Sequence, residues 1–199
     1  MPRLLSGEVP LADELGVQHG DKPASSPAKR DDAAVKTVDR TRTVTWDDPA
    51  PGLAKGREMT GLEYVRAIFE GRLPPPPMAS LMSFAGASAE EGKAAFVSEP
   101  GEYLYNPIGV VHGGYAMTLL DSAMGCAIHT TLARGERYTT LETHVNFVRP
   151  VTMETGRVRC EATVIHRGRR VATAEGRLVA ERTGKTLAHG TTTCLIEGS

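Results

Sequence analysis

The stretch VVHGGYAMTLLD, residues 110–121, decides how this chain folds. Apolar residues continue beyond it and predict one long helix from Gly114 to Leu132. Because they point in nearly every direction, we expect the helix to be buried all round. Asp121 lies inside this apolar run, and a buried carboxylate is rare unless another group pairs with it or uses it. Asp121 therefore has either a functional role or a purely structural one, such as a bond to a neighbouring backbone group.

Helical spacing puts small and polar residues on the same side as Asp121. Gly114 lies nearly two turns before it, with Thr118 between them, and small residues let a ligand approach closely. Gly113 and Gly114 also expose peptide N–H groups that stabilise negative charge at the helix start. Roughly 10 Å of helix separates these donors from the carboxylate, too far for one reacting carbon. A second copy of the chain would supply the missing partner.

Four segments after the helix have the alternation and composition of β-strands. Their glycine-containing connections, HRGR and RTGK, favour hairpins and an antiparallel meander. In the first segment the alternating apolar residues are Leu141, Val145 and Phe147. One apolar helix followed by a meander predicts an α+β domain whose sheet curls around the helix. The four segments are TTLETHVNFV (139–148), GRVRCEATVI (156–165), RRVATAEGRLVAE (169–181) and KTLAHGTTTCLI (185–196).

The composition predicts three parts along the 199 residues. Residues 1–36 are rich in charge, proline and serine and are expected to form a flexible arm. Residues 37–92 are predicted to be an extension, and residues 93–199 the core domain, which begins with a short strand in KAAFVSE. The extension is expected to contain an extended segment or short strand through Val44 and Trp46, an amphipathic helix capped by Thr60, and a stiff connector at Pro74–Pro77.

Charge and cysteine content narrow the class of protein. With 23 basic and 24 acidic residues, nothing in the charge balance suggests a nucleic-acid partner. The chain has three widely spaced cysteines, which argues against a disulfide framework and fits a reducing compartment. No stretch resembles a signal peptide or reaches membrane-spanning length. We expect a cytoplasmic protein that does not bind membranes.

No residue cluster predicts a metal or a nucleotide cofactor. His129, His144, His166 and His189 lack the spacing of zinc ligands, and no phosphate-binding loop or dinucleotide fingerprint occurs. Cys126 lies mid-helix among apolar residues, as an inert core thiol does. We therefore expect neither metal nor cofactor.

The residues around the helix start resemble a known family. The stretch YNPIGVVHGGYAMTLLDSAMG, residues 105–125, resembles the phenylacetic-acid-type (PaaI-like) branch of the hotdog-fold acyl-coenzyme A (acyl-CoA) thioesterases. In that family an Asn precedes the HGG motif by six residues, and an acidic residue follows the His by nine. A Ser or Thr begins the next strand, two residues before an acidic position. Those places hold Asn106, His112, Asp121, Thr140 and Glu142, and the resemblance extends over roughly residues 59–196.

The resemblance implies a hotdog-fold homodimer, and further a homotetramer, that hydrolyses acyl-CoA. It implies that the Gly113 N–H binds the thioester oxygen and that Asp121 of the partner subunit acts as general base or nucleophile. Asn106 would bind the carbonyl or the attacking water, and Thr140 would orient the water or the carboxylate. His112 would shape the loop and contact the thioester. Asn106 also precedes a proline, so a turn-forming role alone stays open.

Further residues are weaker candidates for substrate binding. Gly114 and Thr118 lie on the small-residue side of the helix. Arg167, Arg169 and Arg170 cluster at a hairpin, where they suit either the phosphates of CoA or a solvated turn. The rival carboxylate of Glu142 is predicted to face solvent or an interface.

Two other functions stay open. One is a hotdog module that binds acyl-CoA without hydrolysing it, although such a module has no need of Asp121. The other is a hotdog hydratase or dehydratase, which would be expected to present an Asp/His pair.

Overall fold

The computed structural model describes residues 40–198, so the predicted arm at residues 1–36 lies outside the described residues. The chain there forms four α-helices and six β-strands in the order α1, α2, α3, β1, β2, α4, β3, β4, β5, β6. The helices are α1 (Pro49–Gly56), α2 (Gly61–Phe69), α3 (Pro77–Met82) and α4 (Gly113–His129), and the strands are β1 (Phe84–Glu90), β2 (Lys93–Ser98), β3 (Arg137–Phe147), β4 (Val158–Arg167), β5 (Val171–Ala180) and β6 (Thr186–Glu197).

All six strands form one antiparallel sheet with the order β1-β2-β4-β5-β6-β3. The predicted meander is confirmed for β4, β5 and β6, which pair in sequence. Strand β3 departs from it, because β3 pairs with β6 at the far edge and not with β4. Helix α4 connects β2, near one edge, to β3 at the other, and this leaves β4 free to pair with β2.

The core lies between α4 and the curved sheet, and α4 packs against all six strands. Leu119, Leu120, Met124 and Ile128 of the helix are fully buried. Burying each such side chain stabilises the fold by about 1.5–3 kcal/mol relative to leaving it exposed to water. This arrangement confirms the predicted α+β class and the hotdog architecture. From the sheet, the helix meets buried residues that include Val158, Cys160, Leu178 and Cys194.

The expectation that α4 is buried all round is wrong for one stripe. Asp121 is exposed and Met117 is 42% exposed, because the sheet covers only the opposite side of the helix. The helix also ends at His129, earlier than the predicted Leu132, where the Thr130 N–H donates to the Cys126 carbonyl and a turn follows. The exposed stripe is the part of α4 left for functional contacts.

Of the elements predicted before the core, the amphipathic helix is present and the strand is not. Thr60 forms a capping box with Glu63 at the start of α2, as its spacing predicts. No strand forms in residues 40–48, and Pro77 of the predicted connector begins α3. The sheet starts at Phe84, ahead of the predicted start of the core at Lys93, because β1 pairs along its length with β2. The small residues of β1, FAGASAE, carry no clear apolar alternation.

Helix α2 packs directly on the end of α4. The Gly61 N–H donates to the Leu132 carbonyl at 3.0 Å. The His129 ring lies between Tyr64 and Tyr138, with both centroid distances 5.4 Å, and burial lowers the pKa of His129 to about 4. The extension is therefore attached to the same helix that carries Asp121.

This junction predicts the effect of one added methyl group. A Cβ on Gly61 would lie 1.7 Å from the His129 carbonyl oxygen, so Gly61→Ala forces α2 away from α4. We expect the free energy of unfolding to fall by at least the usual cost of overpacking, about 1–3 kcal/mol. Urea unfolding measures it. Gly52→Ala is the matched control, since its Cβ would meet only Pro74 at 3.7 Å and should change little.

Candidate active site

The loop before α4 presents Asn106 beside the helix start. The Asn106 Oδ1 accepts from the Ile108 and Val110 N–H groups at 3.1 and 3.3 Å, so this side chain does form the turn. The loop is closed further by the Asn106 N–H, which donates to the Val110 carbonyl at 2.8 Å. The side-chain Nδ2 has no acceptor among residues 40–198 and remains a donor for a ligand.

His112 is the N-cap of α4. Its Nδ1 accepts from the Gly114 N–H at 2.8 Å, which assigns the ring proton to Nε2 in the neutral form. The Gly113 N–H, by contrast, has no acceptor within the part of the chain that the structure describes. The helix start therefore offers the Gly113 N–H as an open donor, at the positive end of the helix dipole.

A pocket of about 400 Å³ opens beside Gly113. Asn106, His112 and Arg149 supply its polar lining, and most of the remaining wall is apolar. A cavity of this size and lining suits a small apolar group joined to a polar head. The apolar wall includes Val111, Ala116, Phe147, Val148, Val151 and Leu187.

Asp121 lies elsewhere, against strand β3. Its Oδ1 accepts from the Thr140 hydroxyl at 3.2 Å and from the Thr143 hydroxyl at 3.3 Å. Its Oδ2 has no partner among residues 40–198. Two donors thus hold one carboxylate oxygen while the other points free, as in a group that takes a proton or attacks a carbonyl.

Thr143 was not predicted from the sequence, because β3 contains a bulge. The pairing with β6 shifts between Thr140 and Glu142, so Leu141 is an extra residue on β3. The side-chain phase reverses there, and Thr140 and Thr143 face the helix together. The predicted alternation therefore fails at Leu141, which is 59% exposed.

The structure brings the predicted site residues together in two groups and does not join them. Asn106, His112 and Gly113 surround the pocket, whereas Asp121, Thr140 and Thr143 form a separate cluster. Along the helix, Gly113 and Asp121 are about 12 Å apart, and Asp121 does not line the pocket. Within one chain each group is half of a site.

The other candidate ligands are already engaged or exposed. The Thr118 hydroxyl donates back to the Gly114 carbonyl at 2.9 Å. Arg167 pairs with Glu136 at 2.7 Å and also donates to the Gly168 carbonyl, so its guanidinium is committed to the fold. Arg169 and Arg170 are exposed at the hairpin.

Glu142 lies on the exposed face of β3, as its position predicts. The Thr193 hydroxyl donates to it at 2.9 Å, and the His144 ring lies 3.3 Å away. These two contacts lower the pKa of Glu142, Thr193 having the larger effect. Glu142 is thus separate from the Asp121 cluster.

The cysteines fit a core role. Burial raises the pKa of Cys126 to about 12 and also raises that of Cys160 and Cys194. Among residues 40–198, no group of His, Cys, Asp and Glu is arranged to hold a metal ion. None of the helices in that range is long and apolar enough to span a membrane.

Comparison with known proteins identifies the class. The profile of the thioesterase superfamily matches residues 108–187, which include α4, β3, β4, β5 and the start of β6. Conserved protein PA5202 from Pseudomonas aeruginosa is 30% identical over 62% of this chain and 95% of that one, with a TM-score of 0.57. No curated protein matches the chain in sequence.

Two further solved structures refine the comparison. A phenylacetic acid degradation-related protein from Ralstonia eutropha is 28% identical over 66% of this chain and 98% of that one, with a TM-score of 0.60. A point mutant of the phenylacetic acid degradation protein PaaI from Thermus thermophilus is 28% identical over 60% and 98%, with a TM-score of 0.54. The chain belongs to the thioesterase superfamily and is a hotdog-fold protein of the PaaI-like kind.

Proposed function

We propose that this protein hydrolyses an acyl-CoA thioester to a free carboxylic acid and CoA, without metal or redox cofactor. The observation that carries the proposal is the open Gly113 N–H at the mouth of an apolar pocket. An acyl group fits such a pocket, and the N–H suits the oxygen that becomes negative when a thioester is attacked. Membership of the thioesterase superfamily supports this assignment.

The proposal requires a second copy of the chain. Strand β3 ends the sheet, so its outer edge has no partner strand in residues 40–198, and Leu141 and Phe147 are exposed beside it. An apolar, unpaired strand edge is suited to pairing with another strand. Pairing of two β3 strands about a two-fold axis near their centre keeps them antiparallel and equivalent. The homotetramer remains a prediction from resemblance.

Such pairing joins the two groups of residues. Asp121 lies against Thr140 and Thr143, near the start and middle of β3, while a Cβ on Gly113 would lie 3.2 Å from Phe147 at its end. In an antiparallel pair, the end of one strand lies beside the start of the other. The Gly113 donor of one protomer then faces Asp121 of its partner, and each dimer holds two complete sites.

The chemistry follows from these positions. The thioester oxygen accepts from the Gly113 N–H, and the Asn106 Nδ2 donates to the same oxygen or to water. Oδ2 of the partner's Asp121 takes a proton from the water whose oxygen bonds to the carbonyl carbon. The C–S bond then breaks, and the thiolate of CoA takes that proton from Asp121. An oxyanion donor lowers the activation barrier by about 3 kcal/mol, and base assistance raises the rate by about 10²–10⁴-fold.

Substrate contacts complete the proposal. Gly114 and Thr118 are partly buried residues with small side chains on α4, and small side chains let a ligand approach the helix closely. Arg169 and Arg170 are exposed cations available to the phosphates of CoA, whereas Arg167 is held by Glu136. For the hydratase alternative, the Nδ1 of His112 is engaged with Gly114, so an Asp/His pair would have to use the Nε2–H.

The first test measures thiol release from aryl, short-chain and long-chain acyl-CoAs. We expect turnover of at least one class, and a loss of about 10²-fold or more in Asp121→Asn, because an amide cannot take the proton. The variant should keep the oligomeric state of the wild type, measured by light scattering. Binding of acyl-CoAs without turnover across the panel would instead establish a binding module.

The second test removes the Gly113 donor. Gly113→Pro abolishes the N–H, and proline is tolerated at the first helical position after an extended residue, as His112 is with φ −58° and ψ 137°. We expect kcat to fall about 10²–10³-fold. Gly113→Ala is the matched control, since it adds the same Cβ near Phe147 but keeps the N–H. Equal losses in both variants would mean that the added Cβ, not the donor, matters.

The third test asks whether Asp121 serves its partner. Mixing Asp121→Asn chains with Gly113→Pro chains should recover about a quarter of wild-type activity, since half the dimers are mixed and each has one intact site. A dimer of a wild-type chain and a doubly substituted chain should be inactive, because each of its sites lacks one group. Activity in that dimer would place both groups in one chain and refute the shared site.

A further inference from the structure

The threonines that hold Asp121 are themselves backed by two residues of β6. The Thr192 hydroxyl lies 3.1 Å from the Thr143 hydroxyl, and the Cys194 thiol lies 3.9 Å from the Thr140 hydroxyl. Thr192 is 3% exposed and Cys194 is fully buried. Thr143 thus has an alcohol behind it, and either hydroxyl of that pair can donate, whereas Thr140 accepts from a weakly donating thiol.

Thr192 differs from Cys194 because it has a second acceptor. Its hydroxyl donates to the Glu142 carbonyl at 2.7 Å, a carbonyl that adjoins the bulge in β3. A hydroxyl has one proton to donate. Thr192 therefore donates either to Glu142 or to Thr143, and what Thr143 itself is doing decides between them.

The charge of Asp121 sets that choice. An ionised carboxylate binds a donated proton about twice as strongly as a neutral acceptor does. With Asp121 ionised, Thr143 donates to Oδ1, and its own oxygen becomes a better acceptor for the Thr192 proton, since chained hydrogen bonds reinforce one another. With Asp121 protonated on Oδ2, that gain is lost and the Thr192 proton returns to the Glu142 carbonyl.

We propose that Thr143 and Thr192 are positioning residues that form a two-hydroxyl relay to Asp121. The relay stabilises the ionised carboxylate, keeps Oδ1 engaged and leaves Oδ2 open to water. It also accommodates the protonated state without leaving a buried hydroxyl unpaired, because the Glu142 carbonyl takes the Thr192 proton in that state. This inference rests on the proposed function of Asp121 as a general base.

The test measures the pKa of Asp121 directly, by NMR titration of ¹³C-carboxyl-labelled aspartate, with Asp121→Asn identifying the signal. Thr143→Val should raise that pKa by about one unit, the value of one hydrogen bond to a charged group. Thr192→Val should raise it by less, because Thr143 still donates. The double variant should match Thr143→Val alone, since Thr192 acts only through Thr143.

Kinetics provide the second readout. In Thr143→Val the acidic limb of the kcat/KM profile should move up by the same amount as the NMR pKa, and kcat should fall about tenfold with KM unchanged. Thr143→Ser should restore both values, because the hydroxyl returns. Thr191→Val is the matched control, an exposed neighbour of Thr192 on the same strand, and should change neither.

An unchanged Asp121 pKa in Thr143→Val, or additive shifts in the double variant, would refute the relay. Thr143→Ala replaces Thr143→Val if the valine variant does not fold. The titration needs no substrate, so it decides the relay even if the acyl-CoA panel shows no turnover. The expected pKa shifts without turnover of any acyl-CoA would support the relay and refute the proposed hydrolysis.

Discussion

The packing of α4 across one face of the sheet is the constraint on which the rest of the structure depends. Leu119, Leu120 and Met124 are buried on one side of the helix, and this fixes its rotation about its own axis. The opposite stripe, which includes Met117 and Asp121, has no cover in the single chain. Core packing therefore determines which residues of the helix are available to substrate and to a second protomer. Replacing those core residues would change the rotation of α4, and with it the direction in which Asp121 faces, as well as weaken the fold.

The bulge in β3 turns an ordinary edge strand into a support for a carboxylate. Without Leu141 as an extra residue, Thr140 and Thr143 would face opposite sides of the sheet. With it, both hydroxyls reach the same oxygen of Asp121. The bulge costs one unpaired position in the ladder, and it re-aims the second half of the strand, as bulges near functional sites commonly do.

Features that depend on local sequence were predictable. The start of α4, the Thr60 cap and the separation of Gly113 from Asp121 all follow from spacing along one helix. The edge position of β3 was not predictable, because strand order depends on contacts between distant segments. Thr143 was missed for a related reason, since a bulge is visible only in the pairing with β6. Strand β1 was not predictable either, because its small residues show no alternation of apolar and polar side chains.

The burial of the cysteines has a consequence for redox chemistry. The proposed reaction releases a thiol, and thiols exchange with disulfides through their thiolate forms. Raised pKa values keep Cys126, Cys160 and Cys194 protonated, and Cys160 and Cys194 are also buried in the core, whereas Cys126 is partly buried. Such thiols neither attack a CoA disulfide nor become trapped as mixed disulfides with it. The fold thus keeps the protein's own thiols protonated and unreactive toward the thiol that the proposed reaction releases.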